Sequence, residues 1–163
     1  MKSNTIVISI IIVLSFFGLM FWGRSSQTVG SPQSFGAVSS LLASEKFYDF
    51  GTITMKNGLV NHVFKITNSS AQDIEVKKIS TSCMCTQVYL AGPNGEKGPF
   101  GMEGMGYLPP ANEVIKVGES RELKVVYDPN AHGPAGVGTI DRFVYLTDAS
   151  GARLQLEIKA VVT

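Results

Sequence analysis

Cys83 and Cys85 are the two cysteines of the chain, and they stand one residue apart in the run Ser82-Cys83-Met84-Cys85-Thr86. Four chemistries are open to such a pair. The first is a disulfide. Extended backbone sets residues i and i+2 about 6.6 Å apart, near the upper limit of Cα separation for a bridge, so closing one here requires a local turn. The second is a pair of inert thiols packed at a strand end. The third is thiol redox chemistry, although the usual oxidoreductase spacing is Cys-x-x-Cys beside a βαβ pattern. The fourth is metal binding, in which two thiolates on one side of a bend clamp a soft ion such as copper(I) or zinc. Candidate further ligands are Met102 and Met105, Met84 between the thiols, and His132 in the run PNAHGPAG. A thioether favours copper over zinc. The residues leave all four readings open, and no cofactor is demanded by them.

Other routes to catalysis are poorly served. His62 sits inside an apolar run, where a structural histidine is the simpler reading. No Gly-x-Ser-x-Gly elbow, His-Glu-x-x-His motif or glycine loop leading into a helix is present. Asp49 and Asp128 flank strand-like runs and are expected to bond turns, and Gly133, Gly136 and Gly138 read as turn glycines. An enzyme is not expected.

The elements that must position the cysteines begin after a separate N-terminal segment. Residues 5–22, TIVISIIIVLSFFGLMFW, carry no charge. As a helix this run is about 27 Å long, close to the ~30 Å hydrocarbon core of a bilayer. Ile6, Ile12, Phe17 and Trp22 mark its apolar surface, with Trp22 where interfacial aromatics belong. The run is longer than a usual signal core and no Ala-x-Ala-like site follows it, which favours an uncleaved anchor over residues 1–23; cleavage would instead give a secreted protein. Lys2 weakly favours a cytoplasmic N-terminus, leaving a single-pass protein of the cytoplasmic membrane with its domain in the periplasm or outside the cell. Residues 24–44, rich in Ser and Gly, read as a flexible linker. The 14 basic and 13 acidic residues are interspersed, a net charge of +1, and give no basic stripe for nucleic acid.

Residues 45–163 read as short β runs. Phe47, Asp49 and the Phe50-Gly51 pair lead into a first short strand, and others are expected near Leu59–Thr67, Ile74–Ile79, Gln87–Leu90, Arg121–Tyr127, Thr139–Thr147 and Leu154–Val162, the last two joined as a hairpin by Asp148-Ala149-Ser150-Gly151. About seven strands and no long amphipathic helix argue for an all-β, immunoglobulin-like antiparallel sandwich. Residues 91–111, AGPNGEKGPFGMEGMGYLPPA, read as one long loop. If Gln87–Leu90 is a strand, the cysteines and the His132 loop share one end and the Met loop starts at the other, though its roughly twenty residues could reach back at up to ~3.3 Å each. Without that strand the Met loop abuts the cysteines and His132 lies far away.

Four stretches resemble a known family. Tyr48-Asp49-Phe50-Gly51-Thr52-Ile53 resembles an "FDFG-x-I" opening, and His62 to Asn68 an "h-x-F-x-h-T-N" strand. Ser82 to Thr86 resembles a "SCGCT" signature, and Val117-Gly118-Glu119 a "PGE" strand entry. Over roughly Lys46 to Val162 the chain resembles the bacterial domain-of-unknown-function family fifteen seventy-three, whose fold is similar to Hydin-type immunoglobulin-like domains. Met84 replaces the central glycine, Val117 replaces the proline, and the loop between the last two motifs is longer than the pattern. The resemblance implies an envelope location and a sandwich fold, with no established activity. The expected function is a membrane-anchored binding or scaffolding module with an envelope protein as partner. The alternative is soft-metal handling at the Cys-x-Cys pair, and a remoter one is a periplasmic thiol-redox protein.

Overall fold

A computed structural model describes residues 39–163. The anchor expected over residues 1–23 and most of the expected linker lie outside the described residues, and no helix of the described residues is long and apolar enough to cross a membrane.

Among the described residues ten strands follow one another: β1 (Leu41–Ala43), β2 (Phe47–Ile53), β3 (Val60–Asn68), β4 (Ile74–Thr81), β5 (Thr86–Gly92), β6 (Gly95–Phe100), β7 (Glu113–Ile115), β8 (Ser120–Tyr127), β9 (Gly138–Asp148) and β10 (Arg153–Val162). They form two five-stranded sheets, ordered β1-β3-β8-β5-β6 and β2-β10-β9-β4-β7. Pairing is antiparallel except where β2 runs parallel to β10. The fold is therefore an all-β sandwich with one mixed sheet.

Alternation places the core. Leu154, Leu156, Ile158, Ala160 and Val162 of β10 face inward, as do Leu123, Val125 and Tyr127 of β8 and Phe64 and Ile66 of β3. Burying each such large side chain stabilises the fold by about 1.5–3 kcal/mol. In β4 strict alternation, which would set Val76 and Ile79 on opposite faces, fails at one point. A bulge between Val76 and Lys78 adds a residue against β9, so Val76 and Ile79 both reach the core instead of opposite faces. A second irregularity, where β2 pairs with β10 between Asp49 and Thr52, contains Gly51 at φ 67°, and Asp49 Oδ1 accepts the Gly51 amide at 2.8 Å.

Three of the ten strands were not expected. β1 corrects the linker boundary of residue 44: Leu41 is buried and Leu41–Ala43 pairs with Ile66–Asn68, because the exposed edge of β3 offers backbone partners. β6 corrects the single long loop of residues 91–111: Gly95–Phe100 returns along β5 as a hairpin around Pro93 and Asn94. β7 pairs three residues with β4. The expected β9–β10 hairpin forms, with Asp148 Oδ1 accepting the amides of Ser150 and Ala152. At that end the Ser39 amide donates to the Arg153 carbonyl, so the described chain enters beside the β9–β10 turn.

Candidate functional site

The cysteines occupy the turn from β4 to β5, which crosses from one sheet to the other. Thr81 Oγ1, itself buried, donates to the carbonyls of Cys83 at 2.9 Å and Thr86 at 3.2 Å, and the Thr86 amide donates to the Cys83 carbonyl at 3.1 Å. These bonds bend the chain until the two Cα atoms stand 5.2 Å apart, and Cys83 and Cys85 are joined as a disulfide. The turn required by the spacing argument is present, and of the four readings the structure holds the disulfide. Met84 fits the place of the family's glycine without strain, since Asn112 is the non-glycine residue of positive φ among the described residues.

Two side chains meet the sulfurs. Asp128 Oδ1 accepts the Asn130 amide at 2.8 Å and the Gly133 amide donates to the Asn130 carbonyl, folding the β8–β9 loop so that His132 Nε2 lies 3.2 Å from Cys83 Sγ. His132 is exposed, whereas Cys83 and Cys85 are buried. From β9, Arg142 Nε donates to Cys85 Sγ at 3.4 Å. No sequence signal singled out Arg142. Its place follows from the β4–β9 register, which sets Thr81 against Val144 and Ser82 beside Phe143. Tyr127, buried below, has its hydroxyl pKa pushed up by desolvation, an effect the Arg142 charge opposes.

The ligand atoms of Cys83, Cys85 and His132 all lie within 4.8 Å of one another, close enough to hold a metal once the sulfurs are separated. Met102 and Met105 are not in that trio. β5 leads the chain away from the cysteines and β6 brings it back, so Met102 bridges to Thr81 at the cysteine end. There Met84, Met102, Met105 and Tyr107 line a groove of about 180 Å³ with Thr86 and Phe100. All four of the former are exposed. Thus β5 is a true strand and the Met loop reaches back to the cysteine end, the return that the first topological alternative allowed. His62 is elsewhere, stacked on Tyr48 at 3.6 Å and bonded to Glu45 Oε1 at 2.7 Å, as a structural histidine is.

The family model described as "Protein of unknown function (DUF1573)" matches residues 41–100. Over those residues, fewer than half of the chain, the sequence is similar to that family. Three of the four motifs fall inside the DUF1573 match, and Val117-Gly118-Glu119 lies beyond it. In that fourth motif the Val117 amide donates to Asp73 Oδ1 at 3.1 Å, a bond that the proline of the pattern could not make. No curated protein matches the sequence. Among solved structures, a protein of unknown function from Porphyromonas gingivalis W83 is similar over 77% of this chain and 46% of its own, at 15% identity and TM-score 0.53. A family 123 glycoside hydrolase from Clostridium perfringens is similar over 77% of this chain and 27% of its own, at 7% identity and TM-score 0.54. The chain thus spans less than half of either, and the likeness is one of fold.

Proposed function

We propose that this protein is a binding or scaffolding module of the cell envelope, an immunoglobulin-like sandwich held at the outer side of the cytoplasmic membrane by its N-terminal apolar run. The observation that carries the reading is the Cys83–Cys85 disulfide, which uses both cysteines of the chain. Such bonds persist in oxidising compartments and are rare in the cytosol. The uncharged run over residues 5–22 supplies the means of delivery. The contact surface is the cysteine end, where Met84, Met102, Met105 and Tyr107 expose apolar surface around the groove. Flexible thioethers adapt to a partner's side chains, and a clustered apolar patch is a common mark of a protein contact.

Two measurements test this. In intact cells, a membrane-impermeant reductant followed by an impermeant maleimide should label Cys83 and Cys85; labelling only after lysis overturns the location. A photo-crosslinker at Tyr107 should capture an envelope protein while one at Gln155, exposed on β10, does not; equal capture or none at both sites overturns the contact surface.

A second reading rests on the proximity of Cys83, Cys85 and His132. Reduced, these offer two thiolates and an imidazole, a donor set for copper(I) or zinc. The reduced full chain, titrated anaerobically with either ion, should retain it through desalting, and Cys83→Ser should abolish retention. Failure of the reduced wild type to retain either ion removes this reading.

A further inference from the structure

We propose that the Cys83–Cys85 bond accepts electrons from dithiols with a fixed polarity, Cys83 being the sulfur attacked and Cys85 the sulfur that leaves. The two sulfurs have different surroundings. Cys83 is 8% exposed and Cys85 2%, so an incoming thiolate meets Cys83 first. Both sulfurs have polar neighbours: Cys83 Sγ has His132 Nε2 at 3.2 Å and receives the Cys85 amide at 3.3 Å, whereas Cys85 Sγ receives the Nε–H of a permanent cation, Arg142, at 3.4 Å. A guanidinium is charged at every pH a protein survives, and hydrogen bonds to a charged group are roughly twice as strong as neutral ones. Exchange is faster when the departing sulfur is the better thiolate. Arg142 therefore favours Cys85 as the leaving group.

The step balances with a dithiol as reductant. One thiol of the dithiol loses its proton to solvent, and its sulfur forms a bond to Cys83 Sγ. The Cys83–Cys85 bond breaks, and its electron pair stays on Cys85 Sγ against Arg142. The second thiol of the dithiol, also deprotonated, attacks its own partner sulfur in the mixed disulfide and releases Cys83. The dithiol leaves as a cyclic disulfide, its two electrons now held by Cys83 and Cys85 as thiolates, which take up protons from solvent in place of the two the dithiol released there. Met84 and Thr86 flank the bond and line the neighbouring groove, which gives the incoming molecule a surface to rest on.

The experiment uses the full chain in detergent at fixed pH, with dithiothreitol as the dithiol and alkylation mass spectrometry as the readout. Arg142→Gln should slow reduction by about tenfold, the scale of one charge-assisted hydrogen bond, while Arg142→Lys should recover part of the rate. Far-ultraviolet circular dichroism confirms that each variant is folded. An unchanged or faster rate in folded Arg142→Gln overturns the proposal. On the wild type, a monothiol (2-mercaptoethanol) quenched with acid at the earliest times should give an adduct on Cys83 and a free Cys85. An adduct chiefly on Cys85 also overturns it, whatever the variants do.

Discussion

Arg121 of β8 donates from Nε to Glu113 Oε1 of β7 at 3.3 Å, and the two strands belong to opposite sheets. Glu113 is buried, and Lys97 Nζ of β6 lies 2.7 Å from its other oxygen. A second carboxylate, Glu119, meets Arg121 at 2.6 Å. One edge of the sandwich is thus closed by charge instead of hydrocarbon. Removing one member of a buried pair strands the other and costs about 3–5 kcal/mol. Glu113→Ala is accordingly expected to lose about 3 kcal/mol in urea unfolding, with Glu113→Gln losing less because an acceptor remains. A wild-type midpoint in both would show that the sheets do not depend on this tie.

Acid should weaken the fold through exposed members of such pairs. Arg121 beside Glu119 holds its carboxyl below the usual glutamate range, aided by the Lys116 amide, and Lys78 does the same for Glu103. A folded-state value lower than the unfolded one adds stability that is present above the ordinary glutamate range. That stability is lost as pH falls through the depressed values. Urea midpoints measured down the acid limb should drop for the wild type and drop less steeply for Glu119→Gln. Parallel slopes would count against the pair.

The disulfide is a weak staple. It closes a loop of about three residues, for which chain entropy predicts only about 1–2 kcal/mol. Replacing both cysteines by serine should therefore leave a folded sandwich, with a thermal midpoint lowered by several degrees. Loss of the fold would mean that the bond holds the β4–β5 crossing together.

Gly98 of β6 is fixed by close approach. A Cβ there would stand 2.7 Å from the Val88 carbonyl oxygen, at φ +134°. At Gly104, φ +81°, a Cβ would meet nothing within 4 Å. Gly104→Ala should cost about 1–2 kcal/mol of backbone strain, and Gly98→Ala clearly more, about 3 kcal/mol with the overpacking included. Equal losses in chemical denaturation would show that the β5–β6 hairpin yields readily.

The strands with apolar alternation were legible in the residues, because each must bury one face whatever its neighbours. β1, β6 and β7 were not. Leu41–Ala43 and Glu113–Ile115 are too short to show a period, and GEKGPF buries Phe100 alone, so pairing along a sheet edge makes them strands. The cysteines and His132 were legible by residue type, and their shared end followed from counting strands. Arg142 was not, since it reaches Cys85 only through the β4–β9 register, and that register contains a bulge no pattern announced.

The described chain enters at Ser39 beside the β9–β10 turn, whereas the sulfurs lie where β4 passes to β5 and β8 ends. β8 alone has eight residues, about 26 Å at ~3.3 Å each. Within the sandwich, the entry at Ser39 and the bonded sulfurs with the imidazole and the thioethers therefore stand at opposite ends of the strands. A change at the sulfurs is thus separated from the chain's entry by the full length of the strands.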